Sequence, residues 1–411
     1  MSTLPASAEV VIVGGGLAGL AAARRLDRAG VDWHLVEGAE RLGGRVATDV
    51  VDGFTLDRGF QILNTAYPRV PALVDLDALD LRLFASGVLV RRGGALHRLE
   101  SPLRAPAAVP ATLTANVGTF ADRLRFAAFA ARCATVAPRK LLAEPEVTAA
   151  EALRRAGLSH RIVEEVLRPF LSGVFADRAL DTSSHVLAMV LRSFARGRLG
   201  VPASGMAALP AAVAAPLPPE RLHLSSPVTA VRAGAVTAGG ATITCRQVVV
   251  AADPVTACRL LDLPAPPMRA LTTWYFGPAQ PPITEPILLV DGDRRERLAN
   301  TAVMSNAAPT YAPPGRALVA ASAVGDTPLP EPVVREELTR LYGVPAADWP
   351  LLRVVALPHA LPAAPPPLNR LRRPVALGDG VFVAGDHRDS PSIQGALAGG
   401  WRAAGALLSA V

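Results

Sequence analysis

The chain has 411 residues, half of them apolar and 19% charged; that length implies two or three domains, and the composition excludes a chain dominated by disorder. Its net charge of +7 is nearly all arginine, because Lys140 is the one lysine; no run of five basic residues and no nucleic-acid motif accompanies it, so nucleic acid is not an expected partner. No window offers 18 uninterrupted apolar residues, and the first thirteen lack a basic segment followed by a long apolar one, so neither a membrane span nor a secretion signal is expected and the cytoplasm is the expected compartment.

In chain order, residues 9–13 read as a short apolar strand, Gly14, Gly15 and Gly16 as a tight turn, 17–28 as an alanine-rich helix and 33–37 as a second buried strand. From about 68 to 200 the pattern turns helical, with apolar residues at helical spacing in 122–136, 147–157 and 161–171. The apolar run 105–110 ahead of the amphipathic 122–136 reads first as a buried helix and second as a peripheral membrane contact. Strands return at 222–224, 228–232 and 241–244, with Gly239 and Gly240 as a hairpin turn, and 248–251 as another buried strand. The stretch 265–367 is strand-like and proline-rich; 381–384 makes a last buried strand and 394–409 a last helix.

Nucleotide-domain elements thus occur at both ends and in the middle. The fold class expected is α/β: a Rossmann-type βαβ domain from residues 1–67, 201–264 and 368–411, with an interleaved α+β substrate domain from 68–200 and 265–367. Such interleaving places a ligand between the domains.

Gly14-Gly15-Gly16-Leu17-Ala18-Gly19 fits G-x-G-x-x-G between a strand and a helix. The first glycine makes the turn, the second lets backbone approach a pyrophosphate, and the third packs helix on strand; the helix start at Leu17 and Ala18 offers N–H groups to phosphate. Glu37, 23 residues after Gly14 at the end of the second strand, is placed to accept from ribose hydroxyls. Cys133, Cys245 and Cys258 are odd in number and widely spaced, with no C-x-x-C; a disulfide framework, a zinc site and a redox dithiol are not expected, and no metal is.

The motif alone leaves NAD and FAD open. Arg41-Leu42-Gly43-Gly44-Arg45 follows the acid closely, Val381-Phe382-Val383-Ala384-Gly385-Asp386 lies near the end, and Gln394-Gly395-Ala396 opens the last helix. With these segments the chain resembles the flavin-containing amine oxidase superfamily, which includes phytoene desaturases and protoporphyrinogen oxidases. Asp57-Arg58-Gly59-Phe60-Gln61 looks like the family segment beside the flavin ring, and Pro227-Val228 like the strand whose backbone meets the adenine. The resemblance implies noncovalent FAD: Arg45 at the pyrophosphate, Asp386 at the ribityl or phosphate edge, and Gly59, Phe60 and Gln61 along the flavin. It also implies a helix start formed by Ser392, Ile393, Gln394 and Ala396 that aims N–H groups at the flavin pyrimidine oxygen. No second G-x-G-x-x-G follows a strand, so electrons are expected to leave to oxygen, a quinone or another diffusible acceptor.

Amine oxidases of this superfamily generally place a lysine beneath flavin N5 and an aromatic cage beside the ring. The strand region 271–276, where that lysine would fall, has none, and Ser392 or Ile393 stands where the cage would be. Both departures favour a hydride donor that is largely apolar, in keeping with a mean hydropathy of +0.30. An atypical amine oxidase, and a protein whose FAD is structural or supports non-redox isomerisation, are the alternatives. His387 is the candidate acid/base group, weighed against a solvated loop histidine, with Gln61 the second candidate near the flavin. Trp274 and Tyr275 read as core before substrate contact.

Overall fold

The computed structural model describes residues 4–100, 107, 109–295 and 297–410. Strand Ser7–Val13 is the axis of the first sheet, and its residues Val10 to Val13 are buried because both sheet faces are covered. It pairs in parallel with Trp33–Val36 on one side and Ala241–Val250 on the other. Leu222–His223 adds in parallel beyond Trp33–Val36, and Val381–Val383 beside the far end of Ala241–Val250. The near end of that long strand instead carries the antiparallel hairpin of Ala235–Ala238 and Val228–Arg232. The two strands expected at 241–244 and 248–251 are therefore one: Cys245 and Gln247 are buried and Arg246 exposed, which carries the alternation of the first part into the fully buried residues 248–250. Helices Leu17–Arg28 and Ile393–Leu408 pack on each other closely enough that a Cβ at Gly400 would overlap the Ala18 carbonyl.

The second sheet runs in the order Leu351–Pro362, Met268–Phe276, Val319–Val324, Asn300–Val303, Leu288–Asp291, Gly87–Arg92, Ala95–Glu100. All neighbours are antiparallel except Leu288–Asp291 with Gly87–Arg92. Two of its parts differ from the sequence reading. Gly87–Arg92 and Ala95–Glu100 form a hairpin inside the stretch read as helical, turned by Gly93 and Gly94 at φ +58° and +78°. Helix Glu331–Tyr342 interrupts the stretch read as strand, because Val334, Leu338 and Leu341 recur at helical spacing and face the sheet. Trp274 and Phe276 meet that helix on one face of the sheet; Thr273 and Tyr275 look to the other, where the Tyr275 hydroxyl donates to the Asp57 carbonyl at 2.7 Å.

Helices Phe120–Thr135, Ala149–Arg155 and Ser184–Arg196 cover the second sheet's other side together with one longer helical run, in which His160–Ile162 passes through the π turn Val163–Leu167 into Arg168–Phe175. Residues 105, 106 and 108 of the apolar run 105–110 lie outside the described residues. Among the described residues, no helix is long and apolar enough to cross a membrane.

Candidate cofactor and substrate site

One cavity of about 730 Å³ runs from the glycine turn to the second sheet. At the turn, backbone shape does the selecting. Gly14 sits at φ +106°, and a Cβ there would stand 2.8 Å from the Ala251 carbonyl oxygen; a Cβ on Gly19 would collide with the Gly14 carbonyl. At Gly16 the nearest heavy atom to an added Cβ is Gly44 Cα at 4.0 Å, so this position faces open cavity. Gly14, Gly16, Leu17 and Ala18 line the cavity, whereas Gly19 does not. Glu37 lies at the same rim and accepts the Gly15 N–H at 2.6 Å and the Ala39 N–H at 2.8 Å.

Gly43, at φ +108°, ties the next loop to the glycine turn by donating its N–H to the Gly15 carbonyl at 2.9 Å. The two arginines of this loop part company. Arg45 is committed: it donates to Asp386 Oδ1 at 2.6 Å and to the Ala360 carbonyl at 2.9 Å. Arg41 reaches only the carbonyls of Leu42 and Gly44, at 3.3 Å each, and has no carboxylate within ion-pair distance among the described residues. Burial draws its pKa down, Arg58 adds to that, and Asp49 and Glu37 oppose it. Arg41 is thus the guanidinium left open to an anion, and Gly43, Gly44, Arg45 and Asp386 border the cavity beside it.

Farther along, Gly59 at φ +89° lets its backbone lie against Leu357, whose Cδ1 would be 2.7 Å from an added Cβ. Phe60 N–H points at Thr273 Oγ1, 3.3 Å away. Gln61 donates through Nε2 to the carbonyls of Arg45 and Arg58, and its buried Oε1 has no partner among the described residues. Gly59, Phe60, Gln61 and Val228 all line the cavity, as do Gly385, Ser392, Ile393 and Ala396. Ser392 caps helix Ile393–Leu408 by accepting the Gly395 N–H at 3.0 Å, and its carbonyl accepts the Ala396 N–H. Among the described residues the Ile393 N–H meets no protein acceptor, and Ile393 lines the cavity, so this group, rather than those of the Gly-Ala pair, remains for a ligand.

Two expected site residues stand elsewhere. Gln394 turns away and accepts the Arg69 N–H through Oε1 at 2.9 Å. His387 does not line the cavity; it is 7% exposed, under the Gly385 backbone, with both ring nitrogens unpartnered among the described residues. Burial draws its pKa down to about 4 against the opposing pull of Asp386. The short helical turn Asp386–Arg388 directs the imidazole inward, so it cannot touch a substrate in this geometry.

The far end is a chamber that the sequence reading left mostly unnamed. Phe170, Val174 and Phe175 reach it from helix Arg168–Phe175, Val190 and Phe194 from Ser184–Arg196, and Leu271, Leu288 and Leu357 from the second sheet. Leu271 belongs to the strand where a family lysine was sought. Among the described residues, Ser193, Asn300 and His359 are the ones that bring polar side chains from this half, and Ser193 is bonded to the Met189 carbonyl at 2.9 Å. Alternation along Met268–Phe276 could have singled out Leu271; nothing local brings the helical aromatics to the same wall.

The turn with room for a phosphate at Gly16, the uncommitted Arg41, the Ile393 N–H and the Gln61 Oε1 unmatched among the described residues fit a dinucleotide with a hydrogen-bonding ring system at its end. A parallel sheet carrying that turn, beside an antiparallel sheet that walls a chamber, defines a two-domain flavoprotein fold of the Rossmann type. The family described as flavin containing amine oxidoreductase matches residues 17–408, and the chain belongs to it. A protein assigned as a protoporphyrinogen oxidase, from Exiguobacterium sp. 255-15, superposes with a TM-score of 0.73 at 21% identity, covering 99% of this chain and 100% of that one. Cyclohexylamine oxidase from Brevibacterium oxydans superposes with a TM-score of 0.72 at 17% identity, over 98% of this chain and 99% of that one; at such identities the likeness is one of fold. Coproporphyrinogen III oxidase of Mycobacterium tuberculosis is 30% identical over 206 residues, 48% of this chain and 44% of that protein. Pseudooxynicotine dehydrogenase of a Pseudomonas species is 40% identical over 62 residues, 15% of this chain and 12% of that protein. The matched stretches thus span less than half the length of either curated relative.

Proposed function

We propose that the chain is an FAD-dependent oxidoreductase that binds its cofactor noncovalently and takes a hydride from carbon of a largely apolar organic substrate. The observation that carries the reading is the carbon wall of the chamber, with Leu271 on the strand where an amine-handling lysine would be expected. Residues 1–67, 201–264 and 368–411 form the FAD-binding part in this reading, and 68–200 with 265–367 the substrate part; membership of the two sheets supports that division. Cys133, Cys245 and Cys258 are buried away from the cavity lining, and His387 is too, which supports noncovalent attachment.

When bound, the flavin supplies a two-electron acceptor for the hydride. The chain's own residues hold and desolvate. Glu37 would accept from ribose hydroxyls while keeping its bond from Gly15, and Arg41 would balance pyrophosphate charge. Arg45, already neutralised by Asp386, would shape the site rather than add charge to it. The Ile393 N–H, at the positive end of a 16-residue helix, would favour negative charge at the neighbouring ring edge. The aromatic and aliphatic wall excludes water and supplies binding energy at about 25 cal/mol per Å² of hydrocarbon buried. Electrons would then pass to oxygen or a quinone. Contact with a membrane surface through helix Phe120–Thr135 belongs to the same reading, supported by the exposure of Phe120 and Leu124; co-sedimentation with anionic vesicles tests it.

Anaerobic mixing with a panel of primary and secondary amines and a panel of polyenes and fatty-acyl compounds, followed by flavin bleaching, tests the substrate class. Bleaching by members of the apolar panel is expected. Fast bleaching by an amine with silence from every apolar compound would make this an amine oxidase, and silence from both panels would leave the flavin without a redox role here.

A further inference from the structure

Asn300 opens strand Asn300–Val303 at the chamber wall and is 5% exposed, yet its Oδ1 is buried with no hydrogen-bond partner among the described residues. The neighbouring hydroxyls are already engaged. Ser322, directly across the strand pair, bonds Thr273 at 3.0 Å, Thr301 donates to the Ala320 carbonyl at 2.7 Å, and Ser193 donates to Met189. The packing also makes room for this amide: a Cβ on Gly173, in the middle of helix Arg168–Phe175, would overlap Asn300 Nδ2. A helix-interior glycine is a poor choice unless something must come close, and what comes close here is an unsatisfied amide. A buried acceptor left unmade is costly, so an orphan in a cavity wall marks where a ligand donor belongs.

We infer that the Asn300 amide is the polar anchor of the chamber and selects a substrate with a neutral N–H or O–H donor on an otherwise apolar body. The donor follows from the unpartnered atom, a buried acceptor oxygen. Neutrality follows from the surroundings, since Phe170, Val174, Phe194 and Leu288 carry no charge and an ion among them would lose its hydration without a counter-charge. The inference deepens the proposed function and relies on it only for taking this chamber as the substrate site.

Two probes of one shape test it: carbazole, with a single N–H, and dibenzofuran, with a ring oxygen in its place. Calorimetric titration of the flavin-loaded protein should show carbazole binding about tenfold more tightly. Asn300→Leu should remove that preference by weakening carbazole alone, and Gly173→Ala, which displaces the amide without changing it, should shrink it. Should Asn300→Leu fail to fold or to retain flavin, Gly173→Ala decides. Equal affinities in the wild type, a preference that survives the substitutions, or no carbazole binding at all would overturn the inference. Because binding heat does not depend on flavin reduction, a flavin that never bleaches beside an intact carbazole preference refutes the redox reading and leaves this one standing; the reverse pattern does the opposite.

Discussion

The glycine turn and the chamber solve opposite problems. At the turn the backbone is the ligand-facing surface, and the side chains are chosen for what they lack: Gly14 and Gly19 have no space for a Cβ, and Gly16 leaves its space to the cavity. In the chamber the backbone is already spent on sheet and helix bonds, and the lining offers side-chain volume and, among the described residues, one unmatched amide on the second sheet. A substitution at the turn should therefore abolish cofactor binding outright, whereas one in the chamber should change what is bound.

The largest effect on cofactor binding is expected from Gly14→Ala. It forces a Cβ to within 2.8 Å of the Ala251 carbonyl at a φ of +106°, strain worth about 1–3 kcal/mol before the overlap is relieved. Flavin retention after gel filtration should fall roughly a hundredfold or more; a fully yellow variant would break the contrast. Arg45→Ala comes next, because it strands the buried Asp386 carboxylate, with an expected cost of about 3–5 kcal/mol. The loss should appear in urea denaturation of the flavin-free protein as well as the loaded one. If only the loaded form is weakened, Arg45 serves the cofactor directly.

Two buried groups sharpen the contrast through pH. Burial raises Asp57 to about 6 despite donors from Thr48, Met206 and Tyr311. The folded state then holds the proton more tightly than the unfolded one, so stability from this group is lost as pH rises from about 4 to 6. For His387, at about 4, the unfolded chain takes the proton first, and stability is lost as pH falls from about 6.5 to 4. Each term is on the order of 3 kcal/mol over its window, and the two oppose each other. Asp57→Asn should therefore expose a steeper loss toward acid, His387→Leu a steeper loss toward neutral pH, both read by denaturation from pH 4 to 7. His387→Leu should leave the rate of flavin reduction within about twofold of wild type, since its ring reaches no cavity wall; a larger fall would restore it to the chemistry. The smallest effect is expected from Arg41→Ala: about tenfold weaker flavin binding, with the flavin-free protein as stable as before.

Much of the first region was legible because its requirements are local. The helix read at 17–28 is the observed Leu17–Arg28, and the strand at 228–232 is the observed Val228–Arg232; a glycine pattern between strand and helix states a backbone geometry within six residues. The sequence also placed Gly59, Phe60, Gln61 and Asp386 on what proves to be one cavity, through segments that keep a fixed order along the chain. Pairing was not legible. Arg41 and Arg45 are alike in sequence, and only the arrival of Asp386, 341 residues from Arg45, decides which is neutralised. The burial of His387 was not legible for the same reason, because its direction is set by a short helical turn under Gly385 rather than by its loop neighbours. The chamber was least legible of all. Phe170, Phe194, Leu271 and Asn300 come from separate helices and strands, and only long-range packing brings them to a common wall. By itself the sequence determined the backbone cradle, where each residue's allowed φ and the absence of a Cβ are properties of that residue. The tertiary structure alone decided which charges cancel and which amide stays unmatched, because burial and partnership are properties of pairs.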